Sequence, residues 1–403
     1  MSDCYRIAER IAAARPRVIA ALAAQLRDLD LAEEAFSDAV ESLLKSAEEV
    51  ADEAAWLFVA GKRRSIDILR KRRREMDAHI DMLEETEVAE VIKLPDPIPD
   101  ERLRLLFICC HPALGLEART ALALKVICGL PVEDIARVFI AAEATMYQRI
   151  TRAKQKVAKA GIAFELPHRS EWVQRLEAVL LTLELAYTVA FQDAGGHDDG
   201  RTSAEVERLA LMLADLLPQE PEALGFSAMV LLARSREAAR VDDTGAMVPL
   251  SRQDHQKWDR ARIAKGTELL SQAAQHKRSG RIQLMASIQL THARRMTDGK
   301  VDWGAIVRLY DALLALQSDP VVALNRAIAV SKMHGPDAGL KEFKQLPEDR
   351  FKSFRPWHVA RAELFAELGE HEEAVKALDA ALKLAPAQAE RLYLEGKLCE
   401  LNA

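Results

Sequence analysis

Along this chain apolar residues return every three or four positions rather than every two, and the pattern predicts helices throughout. From about Ala8 to Arg74 it predicts a helical bundle, opening with Ile11, Val18, Ile19, Leu22 and Leu26 at helical spacing. The segment Asp28 to Lys45 follows, with Leu31, Ala35, Ala39 and Leu43 on one face and Glu33, Glu34, Asp38 and Glu41 on the other. Glu53 to Arg74 starts apolar and ends strongly basic, with Ile66 and Leu69 expected to offer a packing face. Leu130 to Lys159 reads as two helices with a short bend. Val132, Ile135, Ala136 and Phe139 supply the packing side of the first, started by Pro131. Met146, Ile150, Ala153 and Val157 form the apolar stripe of the second, opposite Thr145, Gln148, Arg149, Arg152 and Lys156. That is a helix-turn-helix pattern.

Between these helical blocks lies a different kind of sequence. Asp77, Asp81, Glu84, Glu85, Glu87, Glu90, Asp96, Asp100 and Glu101 share a stretch with Pro95, Pro97 and Pro99. Alternating prolines stop helices and favour extended backbone, so an acidic, extended linker is expected. After Pro167 long helical runs continue to the C-terminus. Within Arg355 to Pro386 the residues Ala362, Phe365, Gly369, Ala374, Leu378, Ala381 and Pro386 fall at the offsets of a tetratricopeptide unit of about 34 residues. VDWGAIVRLYDALLALQSDP with VVALNRAIAVS is an earlier half-match. The expected division is therefore 1–75, a linker 76–100, 101–166 with the helix-turn-helix, and an all-helical extension 167–403.

Composition agrees with an all-α chain in more than one domain: 403 residues, 49% hydrophobic, 29% charged, 5% aromatic, with only 17 glycines. A net charge of −6 does not announce a nucleic-acid binder, so charge has to be read locally. Locally it is segregated: an acidic helix, then the basic run Lys62, Arg63, Arg64, Arg70, Lys71, Arg72, Arg73 and Arg74. That run is either a phosphate contact or a solvated helix end that complements the helix dipole. The five cysteines form no regular framework and no CxxC pair, which points to a reducing cytosol. No run approaches the roughly 18 apolar residues that span a bilayer, so a cytoplasmic protein away from membranes is expected.

Candidate chemistry is sparse. Cys109, Cys110 and His111 invite a metal, but adjacent helical cysteines point about 100° apart, and buried thiols are the better reading. No phosphate loop, nucleophile triad or paired-carboxylate site is evident, so neither an enzyme nor a cofactor is expected. Trp56 could stack on an unpaired base, though a core anchor beside Leu57 and Val59 is favoured. Taken alone, the helix-turn-helix fits a conventional DNA-binding regulator with a tetratricopeptide sensor, and the repeats fit a scaffold with no DNA role.

Asp28 to Lys45, AAWLFVAGKRRSIDILRKRR and LPVEDIARVFIAAEATMYQRITRAKQKV together resemble regions 2 and 4 of extracytoplasmic-function sigma factors of bacterial RNA polymerase. DERLRLLFICCHPAL, LLPQEPEALGFSAMVLLARSREAAR, RQDHQKWDRARIAKG, DWGAIVRLYDALL and SDPVVALNRAIAV resemble the subgroup with a tetratricopeptide-containing C-terminal extension. The resemblance implies that Asp30, Glu33, Glu34 and Asp38 dock on the polymerase core enzyme. It implies that Lys62, Arg63, Arg64, Ser65, Arg70, Lys71 and Arg73 read and open the minus-10 element, and that Thr145, Gln148, Arg149, Arg152, Lys154 and Lys156 contact the minus-35 duplex. The linker would follow the basic channels of the polymerase. The extension would regulate activity through a protein or intramolecular partner. Ala141 and Ala142 stand where relatives usually carry a proline before the recognition helix.

Overall fold

The computed structural model describes residues 2–45, 50, 52–77, 101–139, 141–159, 168–192 and 201–402. The expected linker lies almost wholly outside these residues. The described residues are helical, apart from turns and one isolated bridge between Val241 and Met247. They fall into two compact units, 1–189 and 190–403.

Unit 1 begins with α1 (Ser2–Leu26), α2 (Leu29–Lys45) and α3 (Glu53–Asp77). Leu31, Ala35, Ala39 and Leu43 of α2 are all buried, as their spacing predicts. In α3 the packing line is different from the one expected. Ile66 and Leu69 stand 45% and 49% exposed, and the helix instead turns Leu57, Gly61 and Ser65 inward. The small residues explain the choice. A Cβ on Gly61 would lie 2.8 Å from Leu22 Cδ1, so any larger residue would have to push the end of the Leu22 side chain aside. Trp56 is half-buried beside buried Leu57, while Val59 is exposed.

The helix-turn-helix half of the unit comprises α4 (Glu101–Cys109), α5 (Leu116–Val126), α6 (Val132–Val138), α7 (Glu143–Lys159) and α8 (Arg169–Gln192). Gly129, at φ 69°, ends α5 in the left-handed conformation, and the Leu130 amide returns to Leu124 O at 3.2 Å. Pro131 then starts α6. Val132, Ile135 and Ala136 of α6 and Met146, Ile150, Ala153 and Val157 of α7 are buried along the predicted stripes. The α6–α7 turn forms without a proline: the Ala141 amide donates to Ala136 O at 2.9 Å, and the Ala142 carbonyl accepts from Met146 N.

Helix α4 is buried on every side from Leu103 to Cys110, save Arg104, and packs against α1, α5 and α8. The α8 contacts are specific. Trp172 lies against Phe107 with ring centroids 5.6 Å apart, and Arg175 Nη1 donates to Phe107 O at 2.9 Å. The compact unit thus runs to Val189, past the boundary expected at 166/167, because the first helix after Pro167 covers α4.

Unit 2 continues with α9 (Arg201–Leu216), α10 (Pro221–Arg234), α11 (Arg260–Gln275), α12 (Arg281–Ala293), α13 (Arg295–Asp298) and α14 (Trp303–Leu316). It ends with α15 (Pro320–His334), α16 (Pro336–Phe343), α17 (Glu348–Phe351), α18 (Arg355–Glu367), α19 (His371–Lys383) and α20 (Gln388–Asn402). Its centre is α10, buried along almost its whole length among α9, α11 and α12. Glu222 accepts from the Ile282 and Gln283 amides at 2.9 and 3.1 Å, placing a carboxylate on the positive end of α12. The two repeat-like segments are the helix pairs α14–α15 and α18–α19, with Asp302 and Asp319 capping the first pair. Ala362, Ala374, Leu378 and Ala381 are buried between or beside α18 and α19.

Trp172→Ala is expected to destabilise unit 1 by about 3 kcal/mol or more. Val173→Ala, on the exposed side of the same helix, is expected to change stability by less than about 0.5 kcal/mol. Urea unfolding followed by circular dichroism compares the two.

Candidate nucleic-acid interface

Helix α7 is 17 residues long, and its buried stripe fixes which side chains it can present outward. Thr145, Gln148 and Arg152 are exposed. With Arg149 and Lys156 they line one open cavity of about 360 Å³, closed on its other side by Leu114, Gly115 and Ala118 from the start of α5. Two of the five are already held. Arg149 pairs with Glu117 at 3.0 Å and lies over the Phe139 ring at 5.7 Å, while Lys156 Nζ donates to Ala113 O at 2.6 Å. The result is a row of three cations, one amide and one hydroxyl, with Arg149 and Lys156 fixed in direction by their neighbours. Such a row suits the edges and phosphates of a nucleic-acid groove.

Lys154 does not belong to this row. It follows Thr145 by nine residues, which at about 100° per residue turns it roughly 180° away. There it meets α2: Lys154 Nζ lies 2.5 Å from Glu33 Oε2 and 3.2 Å from Asp30 Oδ1, and its side chain is only 16% exposed. Burial opposes its charge, but the hydrogen bond to Glu33 and the proximity of Glu33 and Asp30 prevail and hold its pKa above the ordinary value. Arg15 approaches the other oxygen of Glu33 at 3.6 Å. Nearby, burial and the Arg15 guanidinium hold the Lys125 ammonium below its ordinary pKa. One residue expected to contact DNA and two expected to dock polymerase are therefore brought together. Glu34 is exposed and Asp38 half-buried on the same helix.

On α3 the residues Lys62, Arg63, Arg64 and Arg70 are exposed, and Arg64 Nη2 donates to Ser42 Oγ at 3.0 Å. Ser65 is a correction. It is fully buried, and its hydroxyl donates to Lys62 O at 2.8 Å, so it packs the helix and cannot reach DNA from there. Lys71 and Arg73 lie in the helix, but their side chains fall outside the described residues. Sequence reasoning missed that Val59, Ile66 and Leu69 share the exposed surface of α3 with these cations. Gly61 and Ser65 mark the close-packed side and set Val59 and Ile66 away from it, whereas Leu69 continues their row and is exposed all the same.

Cys109 and Cys110 are buried, and burial pushes the Cys110 thiol to about 12, so it is protonated at neutral pH. Among the described residues no group of three His, Cys, Asp or Glu side chains could hold a metal ion. No described helix is long and apolar enough to cross a membrane.

Comparison with known proteins adds an independent line. Over 414 aligned residues the chain is 39% identical to an uncharacterised protein of Rhizobium meliloti (strain 1021), covering 100% of this chain and 97% of that one. The chain belongs to that protein's family. Residues 104–157 match sigma-70, region 4, and residues 175–274 match a family of unknown function, DUF6596. The region 4 match spans α4 to α7 almost end to end and takes in every residue of the row on α7. It brings with it a sigma-factor or DNA-binding role in transcription, with RNA polymerase and promoter DNA as the implied partners. The DUF6596 match begins at Arg175, inside α8 and within the helix that covers α4.

Acylation by an amine-reactive reagent is expected to label Lys154 several-fold more slowly than exposed Lys62, because its neutral amine is the rarer form. Peptide mass spectrometry of the intact protein measures both rates. Equal rates would mean that the pairing with Glu33 does not persist in solution.

Proposed function

We propose that this chain is a sigma factor of the extracytoplasmic-function type, which binds the polymerase core enzyme and directs it to a small set of promoters. The observation that carries the reading is the region 4 match lying over a helix whose outward row is Thr145, Gln148, Arg149, Arg152 and Lys156. Arginine and glutamine can pair in two-pronged fashion with purine edges in a major groove; threonine and lysine serve phosphates. This row is assigned to the minus-35 duplex.

The exposed cations of α3, Lys62, Arg63, Arg64 and Arg70, are assigned to the minus-10 element. Their surface also carries Val59, Ile66 and Leu69, and a mixed cationic and apolar surface suits a strand whose bases are unstacked. The acidic side of α2, with Asp30, Glu33, Glu34 and Asp38, is assigned to core-enzyme docking. Nucleotide chemistry stays with the polymerase. The helical extension, with its tetratricopeptide-like pairs α14–α15 and α18–α19, is assigned to regulation through a protein or intramolecular partner.

The test uses full-length protein, purified core polymerase and genomic DNA as template, with transcripts sequenced from their 5′ ends. Start sites sharing an upstream motif pair are expected. Arg149→Ala combined with Arg152→Ala is expected to reduce these transcripts at least about ten-fold, given roughly 1–3 kcal/mol for each good base contact. A protein that binds duplex DNA but yields no specific transcripts with core enzyme is a conventional regulator instead.

A further inference from the structure

Promoter reading gives Lys154 no task where it stands. It faces away from the row on α7, is largely buried, and holds both Glu33 and Asp30 of α2. A lysine withdrawn from water this far persists only with partners of good geometry. The partners are two of the carboxylates assigned above to core-enzyme docking.

Size makes the same point independently. Elements centred near minus-10 and minus-35 lie about 25 base pairs apart, which at about 3.4 Å per pair is roughly 85 Å of duplex. A compact unit of 189 residues has a radius of gyration of about 16 Å, hence a diameter near 40 Å. Helices α3 and α7 lie within one such unit and so cannot reach both elements while it stays closed.

We propose that Lys154 is an intramolecular occupant of the acidic docking face of α2, masking it in a closed state that the apolar contacts of α4 with α1 hold together and that core polymerase must displace before promoter elements can be read. The proposal rests on the sigma-factor reading of α2 and α7 and adds the regulation of that surface. The latch is built to be exchanged. Glu33 Oε1 is buried and accepts no hydrogen bond, with Arg15 still 3.6 Å away, so half of this carboxylate is unsatisfied in the closed state. A partner that offers donors to both oxygens of Glu33 and to Asp30 gains what the closed state leaves unmade. Lys154 and the polymerase surface compete for the same two carboxylates, and each lowers the apparent affinity of the other.

The experiment treats full-length protein with a zero-length carbodiimide, which joins an ammonium to a carboxylate only when they are in direct contact. Mass spectrometry is expected to find Lys154 joined to Glu33 or Asp30, and prior addition of excess core polymerase is expected to abolish that product. Lys154→Gln is expected to bind core polymerase about five-fold tighter, the scale of one modest ion pair. Lys154→Arg, which keeps the charge, is expected to bind like the unaltered protein and controls for folding. Absence of the cross-link in the free chain, its survival at full yield in the polymerase complex, or equal affinities of Lys154→Gln and the unaltered protein would each overturn the latch. A cross-link in the free chain together with no polymerase binding by any form would instead overturn the sigma-factor reading, and the competition with it, while leaving the closed contact standing.

Discussion

A helix buried on nearly every side must be covered on nearly every side, and α4 imposes that requirement on everything near it. Leu103, Leu105, Leu106, Phe107 and Ile108 are essentially inaccessible, and Cys109 and Cys110 follow them into the interior. Each such large aliphatic or aromatic side chain is worth about 1.5–3 kcal/mol when withdrawn from water. The covering comes from three directions: α1 of the N-terminal bundle, α5 of the helix-turn-helix, and α8 beyond it. The end of the helix needs covering too, because its last carbonyls lack internal partners. Arg175 donates to Phe107 O at 2.9 Å and Arg119 to Cys110 O at 3.4 Å. What the sequence divides into separate segments is thereby one core.

The electrostatics of the unit follow from that packing. With α4 lodged against α1 and α5, and α7 packed on α5, α7 is carried to the edge of α2 and Lys154 arrives at Asp30 and Glu33. The pairing is a consequence of the apolar fit more than its cause. An ion pair withdrawn this far from water gives back much of its attraction as lost hydration, whereas α4 buries a whole helix. The charge contact can therefore be exchanged for another partner's donors at little cost, whereas separating α3 from α7 also requires parting α4 from α1.

Legibility followed the physics of each face. Helices with one wet and one dry side were readable, so the buried line Met146, Ile150, Ala153, Val157 and the outward row of α7 both followed from spacing. The helix start at Pro131 was readable too, because a proline without an amide hydrogen fits the first turn. Three features were not. Helix α3 packs through Gly61 and Ser65, residues that a search for apolar periodicity passes over, and so Ile66 and Leu69 were given the wrong side. Helix α4 gives periodicity no packing side, since apart from Arg104 every position from Leu103 to Cys109 is buried. Lys154 was placed with its basic neighbours by the resemblance, although its angular position alone sets it opposite them.

The placement of α8 bears on how the extension can be separated from the rest. By sequence the extension starts after Pro167, and DUF6596 starts at Arg175, yet residues 169–189 pack into unit 1. A truncation at 167 would remove Trp172 from Phe107 and Arg175 from the end of α4, exposing a helix that has no polar face to show. Loss of promoter activity in such a truncation would report a collapsed core and say nothing about regulation. Ending the chain after Gln192 leaves α4 covered and removes only unit 2 residues beyond α8. The end of the compact unit is therefore set by what α4 needs buried, and it lies one helix later than the change in sequence character.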